Sequence, residues 1–496
     1  MSLSGSEIGA LMPVVIPAAA ACLIPLASLD KDQDTATWIR GCMFIIALFS
    51  ISGSFLYITR LWGTRIQASY GPLRMDSLAQ FAAIFVLITA AMAVLQLWDH
   101  LHQEGWVKGE TLSLLMFSVT GMIIFASTTN LMLLFLGLEL LSLPLYALVA
   151  TVRQRPAALE GGVKYFITGA VASSCFLMGA VLLYGATGSL EIGTIGRQLA
   201  AHPDPIAFAG AALLTAGFLF KVSGVPFHQW TPDAYEASPH PIAAFMSVAT
   251  KGVALIALIR IFPAGLSTDP AMAIKLQSAL ALVAALTLIV GNLTALAQTN
   301  VKRMLAYSSI GHAGYLLLGL VAGTTEAYAG MLFYLFAYIA MNMGAFGLLT
   351  ALGLVGDRCN FENLKGLGWK RPGLGIAATF CMFSLAGIPP TGGFYGKYML
   401  IKEVIHTGHV NLAVLAVLTS LISVYFYLRV IVALFIEKPS EQAEREAADR
   451  PTIIAPYAGA TVLVCGFLAL ATGFAQTLLV DGFALRAIKD SLPFIP

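Results

Sequence analysis

The sequence predicts an all-α polytopic membrane protein of about fourteen transmembrane helices, with two inverted five-helix repeats that each contain a broken helix. Three observations predict this fold: the composition, the succession of long apolar segments, and two Gly/Pro-rich interruptions. The chain has 496 residues, of which 58% are hydrophobic and 11% charged, and its mean hydropathy is +0.82. Soluble domains carry roughly 25% charged residues. This chain lacks that polar surface, so most of its outer surface must face lipid.

Long apolar segments define the helices. A membrane span needs ~20 predominantly apolar residues. By that rule we number helix 1 to helix 14 at residues 8–28, 39–61, 76–98, 111–129, 130–151, 161–187, 206–227, 241–262, 274–297, 302–321, 326–354, 374–405, 410–436 and 452–478. The weakest boundary separates helices 4 and 5, where only Thr128-Thr129-Asn130 interrupts the apolar residues. The longest polar stretch is 437–450.

The loop charges predict the orientation. With fourteen spans both termini share one side, where the loops hold nine Lys and Arg, against fifteen on the opposite side. Because cytoplasmic loops carry the excess of Lys and Arg, we expect the termini on the periplasmic side of a bacterial inner membrane. Glu7 lies where a signal peptide would carry positive charge, so helix 1 is expected to be retained.

Two helices are interrupted by similar sequences that contain Gly and Pro. Helix 7 ends in KVSGVPF at 221–227, and helix 12 contains SLAGIPPTGGF at 384–394. Gly and Pro remove helical hydrogen bonds, and paired broken helices commonly mark the ion site of a transporter. The shared Gly-x-Pro, five helices apart, predicts an inverted repeat, although ordinary proline kinks are the alternative. The expected division is 1–109 as a three-helix segment, 110–262 and 263–436 as the repeats, and 437–496 as the final helix and tail.

Four ionisable residues fall inside apolar helices. Glu139 in helix 5 and Lys251 in helix 8 each lie about ten residues into their helix, ~15 Å deep at ~1.5 Å per residue. Lys221 and Lys397 lie beside the breaks in helices 7 and 12. Each charge costs at least ~2.5–3.5 kcal/mol at a helix centre. The four side chains must therefore face the bundle interior, pair with one another or meet water.

These residue types suit proton transfer. Burial favours the neutral amine of a lysine, and a neighbouring carboxylate favours the ammonium. We therefore expect Glu139 to modulate Lys221, Lys251 to be the central relay, and Lys397 to be the exit-side group. The alternative is a set of static buried ion pairs, which three lysines and one carboxylate cannot all form.

Four further residues are candidates for the proton path. His312 in helix 10 could bridge Lys251 and Lys397 through water, or could simply bond a backbone group. Tyr307, in the same helix, is either a packing hydroxyl or part of a water wire. The other two are His228, which lines an uptake path or caps a helix in the polar segment after helix 7, and Lys164, which lines a lateral path or snorkels to the surface.

The sequence predicts no cofactor in this chain and no metal. The six cysteines form no close pair. The pair His406-x-x-His409 has no acidic or thiolate residues that would complete a metal site. No strand precedes a Gly-rich turn as dinucleotide binding requires. No basic stripe indicates nucleic acid.

Several phrases carry a resemblance to a known family. They are KGV at 251–253, FHQWTPD at 227–233, QTNVKRMLAYSSI at 298–310 and the interruption at 384–394. They resemble the antiporter-like subunits of respiratory complex I, the proton-translocating NADH:quinone oxidoreductase, and are similar to the large subunits of multi-subunit sodium/proton antiporters. The resemblance covers about residues 110–435.

Within that family, LLFLGLELLSLP at 133–144 and EGGVKYFITGAVASS at 160–174 are most similar to subunit N, the counterpart of mitochondrial subunit 2. Lys397 in FYGK fits subunits N and L, whereas subunit M has Glu there. The resemblance implies Glu139, Lys221, Lys251 and Lys397 as proton-path residues. It also implies neighbouring antiporter-like and other membrane subunits as partners, a surrounding lipid bilayer, and no bound NADH, flavin or iron–sulfur cluster.

Two other functions stay open at this point. One is a sodium/proton antiporter subunit driven by an ion gradient, which shares the buried charges. The other is a passive scaffold in the same complex, in which the buried charges form static pairs.

Overall fold

A computed structural model describes residues 5–27, 36–62, 68–103, 109–354, 356–439 and 455–492. Several of the loop cations that predict the orientation, namely Lys31, Arg65, Lys108, Arg445 and Arg450, lie outside these ranges, as does most of the polar stretch 437–450. In the described part, thirteen helices are long and apolar enough to cross a membrane. Helix 12, which is broken into two shorter pieces, completes the predicted fourteen.

The N-terminal elements are helices α1 Gly5–Ala27, α2 Ala36–Leu61 and α3 Ser77–Gln103, with strands β1 Ala68–Tyr70 and β2 Leu73–Met75 between α2 and α3. The region predicted as the first repeat contains α4 Gly109–Ala126, α5 Leu131–Val149, α6 Pro156–Thr187, α7 Ile192–Ala201, α8 Pro205–Val222, α9 Trp230–Ala237, α10 His240–Phe245 and α11 Lys251–Ile261. Two π-helical turns, Met246–Thr250 and Phe262–Leu266, extend α10 and α11 into one continuous span.

The region predicted as the second repeat contains α12 Pro270–Leu296, α13 Val301–Ala322, α14 Thr325–Ala351, the short α15 Leu367–Lys370, α16 Pro372–Ala386, α17 Gly392–His406 and α18 Val410–Phe435, with 3₁₀ turns at Gly356–Arg358 and Glu362–Leu364. The chain continues through α19 Pro456–Phe474, α20 Gln476–Leu479, a π turn Val480–Ala484 and α21 Leu485–Ser491. Because each repeat has five spans, an odd number, the second begins on the side of the membrane opposite to the first.

The weak boundary between helices 4 and 5 is a true helix end. Asn130 is the N-cap of α5, and its side chain accepts hydrogen bonds from the amides of Met132, 2.9 Å, and Leu133, 3.3 Å. An Asn in this position satisfies amides that the first helical turn leaves free. The Asn130 amide in turn donates to Glu191, 3.0 Å, just before α7. The sequence therefore placed this turn correctly.

Two of the elements that were not predicted connect consecutive spans. One is the β1–β2 hairpin, in which Tyr70 pairs with Leu73 and the Arg74 amide donates to the Ser127 carbonyl, 2.6 Å. The other is α7, an amphipathic helix that buries Ile192, Ile195 and Leu199. Both lie in connections that are too short and too polar to produce a membrane-span signal, so the prediction of an all-α chain missed a hairpin of two three-residue strands.

The two breaks end their helices in the same way. The α8 helix stops at Ser223, with φ +66°, and α16 stops at Gly387, with φ +83°. In a membrane, backbone groups released by a break need partners inside the protein. At the first break, Trp230 Nε1 donates to the Phe220 carbonyl, 3.0 Å. At the second, the Ser384 hydroxyl accepts from the Gly393 amide, 3.1 Å.

Burial divides the helices into an inner and an outer set. The span His240–Leu266 and helices α13 and α14 are almost entirely buried, whereas only 39% of α6, 39% of α12 and 33% of α18 is buried. Large apolar side chains such as Val171, Leu282 and Leu421 cover the outer faces. An apolar exterior around a buried, polar-containing centre is the arrangement expected of a protein dissolved in lipid.

Candidate functional site

Glu139 lies on α5 at the edge of the bundle. Its side chain is half-buried, and its Oε1 is fully enclosed without a hydrogen-bond partner. Leu136 and Leu143, which flank it on the same helix, are exposed on the outer surface. The carboxylate therefore lies between the interior and the outer face of α5.

Lys221 occupies an aromatic enclosure at the end of α8. The side chain is 2% exposed, and its ammonium lies 5.2 Å from the ring centre of Tyr146, 5.4 Å from Tyr165 and 5.5 Å from Phe220. Its one hydrogen bond in the described structure goes to the Tyr146 hydroxyl, at 3.4 Å. Glu139 interacts with Lys221 electrostatically, but the two form no ion pair at 4.0 Å or less.

Lys251 begins α11 directly after a π turn. It is 1% exposed, and its Nζ donates to the Ser309 hydroxyl, 2.6 Å, and to the Ser309 carbonyl, 3.0 Å. The Tyr235 ring lies 5.7 Å from the ammonium. Single π turns frequently occur at functional positions of helices. Here the turn comes immediately before the most deeply buried of the three lysines.

His312 on α13 bonds side chains rather than backbone. Its Nδ1 lies 2.5 Å from the Tyr334 hydroxyl, and its Nε2 lies 2.9 Å from the Tyr427 hydroxyl, which also bonds the Ser308 hydroxyl. The ring lies within electrostatic range of both Lys251 and Lys397. Its ring nitrogens thus bond hydroxyls and no backbone group, and the water-mediated bridge between Lys251 and Lys397 stays a prediction.

Lys397 bonds the carbonyls that the second break leaves free. It is 4% exposed, and its Nζ donates to the carbonyls of Leu385, 3.0 Å, and Ala386, 3.1 Å, and to the Ser420 hydroxyl, 3.2 Å. The last carbonyls of a helix have no helical partner and carry partial negative charge. The break thus stabilises a cation without a carboxylate.

Aromatic and hydroxyl contacts connect these positions into one series. From Lys221 the series runs through Tyr165, which stacks on Trp230 with ring centres 4.3 Å apart, to Tyr235 and Lys251. From Lys251 it continues through Ser309 and the adjacent Ser308 to Tyr427, His312 and Tyr315, whose ring lies 4.8 Å from the Lys397 ammonium. Sequence analysis named the charged members of this series but not their aromatic partners.

Unpartnered polar atoms lie beside the same series. Within the described residues, the hydroxyls of Tyr165, Tyr235 and Tyr338 and both amide atoms of Asn342 are buried without a hydrogen-bond partner. Buried polar atoms are normally satisfied by protein or by water. The interior therefore has donors and acceptors that suit ordered water along this series of contacts.

Two of the remaining candidates, Lys164 and Tyr307, lie at one edge of the bundle. Lys164 is about half-exposed and forms ion pairs with Glu160, 2.7 Å, and Asp233, 2.9 Å. Arg303 also pairs with Asp233, 2.9 Å, and stacks 5.9 Å from the ring centre of Tyr307. Burial of Asp233 opposes ionisation, but the hydrogen bonds from Lys164 and Arg303 hold the pKa of Asp233 below its usual range. Lys164 therefore belongs to a surface ion-pair network, and Tyr307 contacts the arginine of that network.

His228 lies within the first break. Its side chain is half-buried, its Nδ1 has no partner, and it interacts electrostatically with Lys251. It is thus closer to the lysine series than to the surface network.

Sequence reasoning missed several polar contacts. Tyr146 could have been found, because it lies seven residues after Glu139, two helical turns along the same face of α5. Ser308, His312 and Tyr315 likewise share one face of α13. No sequence signal predicts the buried pair between Arg260 and Asp76, two bonds of 2.6 Å that join the ends of α11 and α3.

A buried cluster at the other end of the span His240–Leu266 was also missed. The rings of His100 and His240 lie 5.5 Å apart, and the Cys359 thiol lies 3.7 Å from His240 Nε2. His240 also bonds the Leu354 carbonyl. These residues come from three distant segments, which explains why spacing along the chain did not reveal them.

Comparisons with known proteins agree with the fold. Residues 128–423 match the family model described as NADH:quinone oxidoreductase/Mrp antiporter, TM. Proteins named NADH-quinone oxidoreductase subunit N from Trichlorobacter lovleyi and Salinibacter ruber are each 38% identical, covering 96% and 95% of this chain and 96% and 91% of their own length.

Solved structures show the same architecture. A chain of respiratory complex I from Thermus thermophilus with bound aureothin superposes with a TM-score of 0.78 at 34% identity, covering 95% of this chain and 99% of its own length. A chain of the Mrp complex from Dietzia sp. superposes with a TM-score of 0.81 at 20% identity, covering 99% and 98%, a likeness of fold alone. The chain therefore belongs to the NADH:quinone oxidoreductase/Mrp antiporter family of multi-pass membrane subunits, and within it to the subunit N group.

Proposed function

We propose that this chain is a proton-translocating subunit of a respiratory NADH:quinone oxidoreductase, in which protons move along Glu139, Lys221, Lys251, His312 and Lys397. Quinone reduction elsewhere in the complex would drive the transfer. The observation that carries this proposal is that three deeply buried lysines each contact only hydroxyls, carbonyls or aromatic rings. None forms an ion pair at 4.0 Å or less in the described part of the chain.

The energetics favour a dynamic role over static pairs. A buried ion pair needs close geometry to offset its desolvation cost, and the nearest candidate, Glu139 with Lys221, lacks it. Each lysine instead has neutral partners that can bond both the ammonium and the amine, since a hydroxyl both donates and accepts. Small changes in a neighbouring charge can then change the protonation state, which is what a relay requires.

The neighbouring features have matching roles in this proposal. Glu139, at the edge of the bundle, would respond to a charge on an adjacent subunit and act on Lys221 through Tyr146. His228 would hydrate the first break, and Lys164 and Tyr307 would border the uptake side. We further propose that the termini lie on the periplasmic side, that the chain divides at residues 109, 262 and 436, and that it binds no NADH, flavin or cluster itself.

Substitution of the central lysine tests the proposal. We expect Lys251→Ala in the assembled complex to lower NADH-driven proton uptake into inverted membrane vesicles strongly, and Lys251→Arg to fail to restore it, because a guanidinium does not deprotonate. Lys370→Ala, at an exposed lysine, is the matched control. Normal proton uptake and normal assembly in Lys251→Ala would instead support the scaffold.

The antiporter alternative predicts a different driving force. Relatives of 34–43% identity carry the name NADH-quinone oxidoreductase subunit N, whereas the Mrp chain is 20% identical, which favours the redox-driven complex. Purification with cluster-bearing subunits and NADH-dependent pumping without sodium would support it. A purified complex that shows only sodium-dependent proton exchange would support the antiporter.

A further inference from the structure

A cavity of about 330 Å³ opens on the side of the bundle where α11 ends. It lies between the π turn after α11, the start of α12 and the end of α13, and Ser267 at its mouth is exposed. Gln277, Gly323 and Tyr328 contribute polar groups to its wall. The proposed relay does not use this cavity, although Lys397 must exchange its proton with one side of the membrane.

A buried carboxylate lies next to the wall of this cavity. Glu403 on α17 is 8% exposed, and its Oε2 accepts a hydrogen bond from the Thr324 hydroxyl, 2.9 Å. Thr324 directly follows Gly323 of the cavity wall, and the Tyr328 amide donates to the Thr324 carbonyl, 3.0 Å. Within the described residues no cation lies within 4.0 Å of the Glu403 carboxylate, which accepts its hydrogen bond from a hydroxyl.

Two helices lead from Lys397 to this carboxylate. On α17, Glu403 follows Lys397 by six residues, ~9 Å along the axis at ~1.5 Å per residue, in the direction away from the break. On α13, Tyr315 contacts the Lys397 ammonium, and Gly323 lies eight residues later, ~12 Å farther toward the same side. Both helices therefore extend from the level of Lys397 to the level of the cavity.

We propose that Glu403, oriented by Thr324, transfers protons between Lys397 and the cavity that opens at Ser267. The step moves one proton from the Lys397 ammonium through water to the Glu403 carboxylate and then to water in the cavity, so no other reactant is needed. This inference rests on the proposed function, because it extends the same relay. A purely structural role would be to fix α17 against the start of α14.

The test compares variants of the assembled complex by NADH-driven proton uptake in reconstituted vesicles, with quinone reduction measured in parallel. Glu403→Gln keeps an oxygen for Thr324 but cannot carry a proton. We expect it to lower proton uptake per electron to the level of Lys397→Ala, and Glu403→Asp to retain most of it. Glu326→Gln, at an exposed carboxylate early in α14, is the control and should match the wild type.

A second measurement blocks the cavity directly. The purified complex with Ser267→Cys is labelled in detergent with a bulky maleimide and then reconstituted, and the unsubstituted complex receives the same treatment. We expect the label to lower proton uptake only in the variant. The labelling measurement also tests the proposal if Glu403→Gln fails to assemble, because undiminished proton uptake by the labelled variant would overturn it.

The outcomes separate this inference from the function on which it rests. Wild-type uptake in Glu403→Gln together with loss in Lys397→Ala overturns the role of Glu403 and leaves the relay in place. Wild-type uptake in Lys397→Ala removes the relay itself and the inference with it.

Discussion

At the scale of single residues, the structure distinguishes lysines that look alike in the sequence. Lys221 lies among aromatic rings, Lys251 bonds one serine, and Lys397 bonds two helix-end carbonyls. Helix-end carbonyls carry partial negative charge and favour the ammonium over the neutral amine, whereas ring faces attract the cation weakly. We therefore expect Lys221, which bonds no carbonyl, to depend most on its one hydroxyl partner.

Tyr146→Phe tests the dependence of Lys221 on its hydroxyl partner. The change removes the hydroxyl that accepts from Lys221 at 3.4 Å and keeps the ring, so the ammonium loses about 1 kcal/mol of stabilisation. We expect several-fold slower NADH-driven proton uptake with normal assembly, measured in inverted vesicles. Tyr184→Phe, at an exposed tyrosine on α6, is the control; equal uptake in both variants would exclude a role for the Tyr146 hydroxyl.

At the scale of elements, close backbone contacts hold the second break in place. A Cβ on Gly473 of α19 would clash with the carbonyl oxygen of Pro390 within that break. The last span thus packs against the loop of the second break. This loop follows the two carbonyls that accept hydrogen bonds from Lys397. An apolar helix in the sequence gives no hint of this contact.

Gly473→Ala should therefore destabilise the protein. Alanine normally favours a helix over glycine by about 0.5–1 kcal/mol, but overpacking against backbone costs about 1–3 kcal/mol or more. We expect a lower thermal unfolding midpoint for Gly473→Ala in detergent. Gly459→Ala, on the same helix with its nearest neighbour 3.7 Å from the added carbon, should leave the midpoint unchanged or raise it; a fall of equal size in both would refute the contact as the cause.

The ion pairs of Asp233 join α6, α9 and α13 and should respond to acid. Because its folded pKa lies below the usual value of about 3.9, the stabilisation is fully present above that value and is lost as pH falls through the folded pKa. We expect the unfolding midpoint to fall less between about pH 5 and pH 3 in Asp233→Asn than in the wild type. Asp481→Asn, at an exposed site, is the control, and an identical acid response in all three proteins would contradict the prediction.

At the scale of the whole molecule, the sequence predicted what depends on local composition. Apolar length located fourteen spans, and the Gly/Pro interruptions located both breaks, because lipid imposes those requirements on every residue. The partners of the charges were not predicted, since Ser309, Tyr427 and Ser420 come from other helices. The buried pair of Asp76 and Arg260 was missed for the same reason.

The lysines lie in one contact series, and this arrangement predicts how two lysine substitutions combine. If every proton passes Lys221, Lys251 and Lys397 in turn, removing one already stops the flow, and removing a second adds little. Residues that act as a unit are non-additive in this way. We expect Lys221→Ala combined with Lys397→Ala to lower proton uptake per electron no further than the worse single variant. Independent paths would give effects that multiply, and a double variant clearly worse than both singles, with assembly and quinone reduction intact, would show that the two breaks serve separate routes.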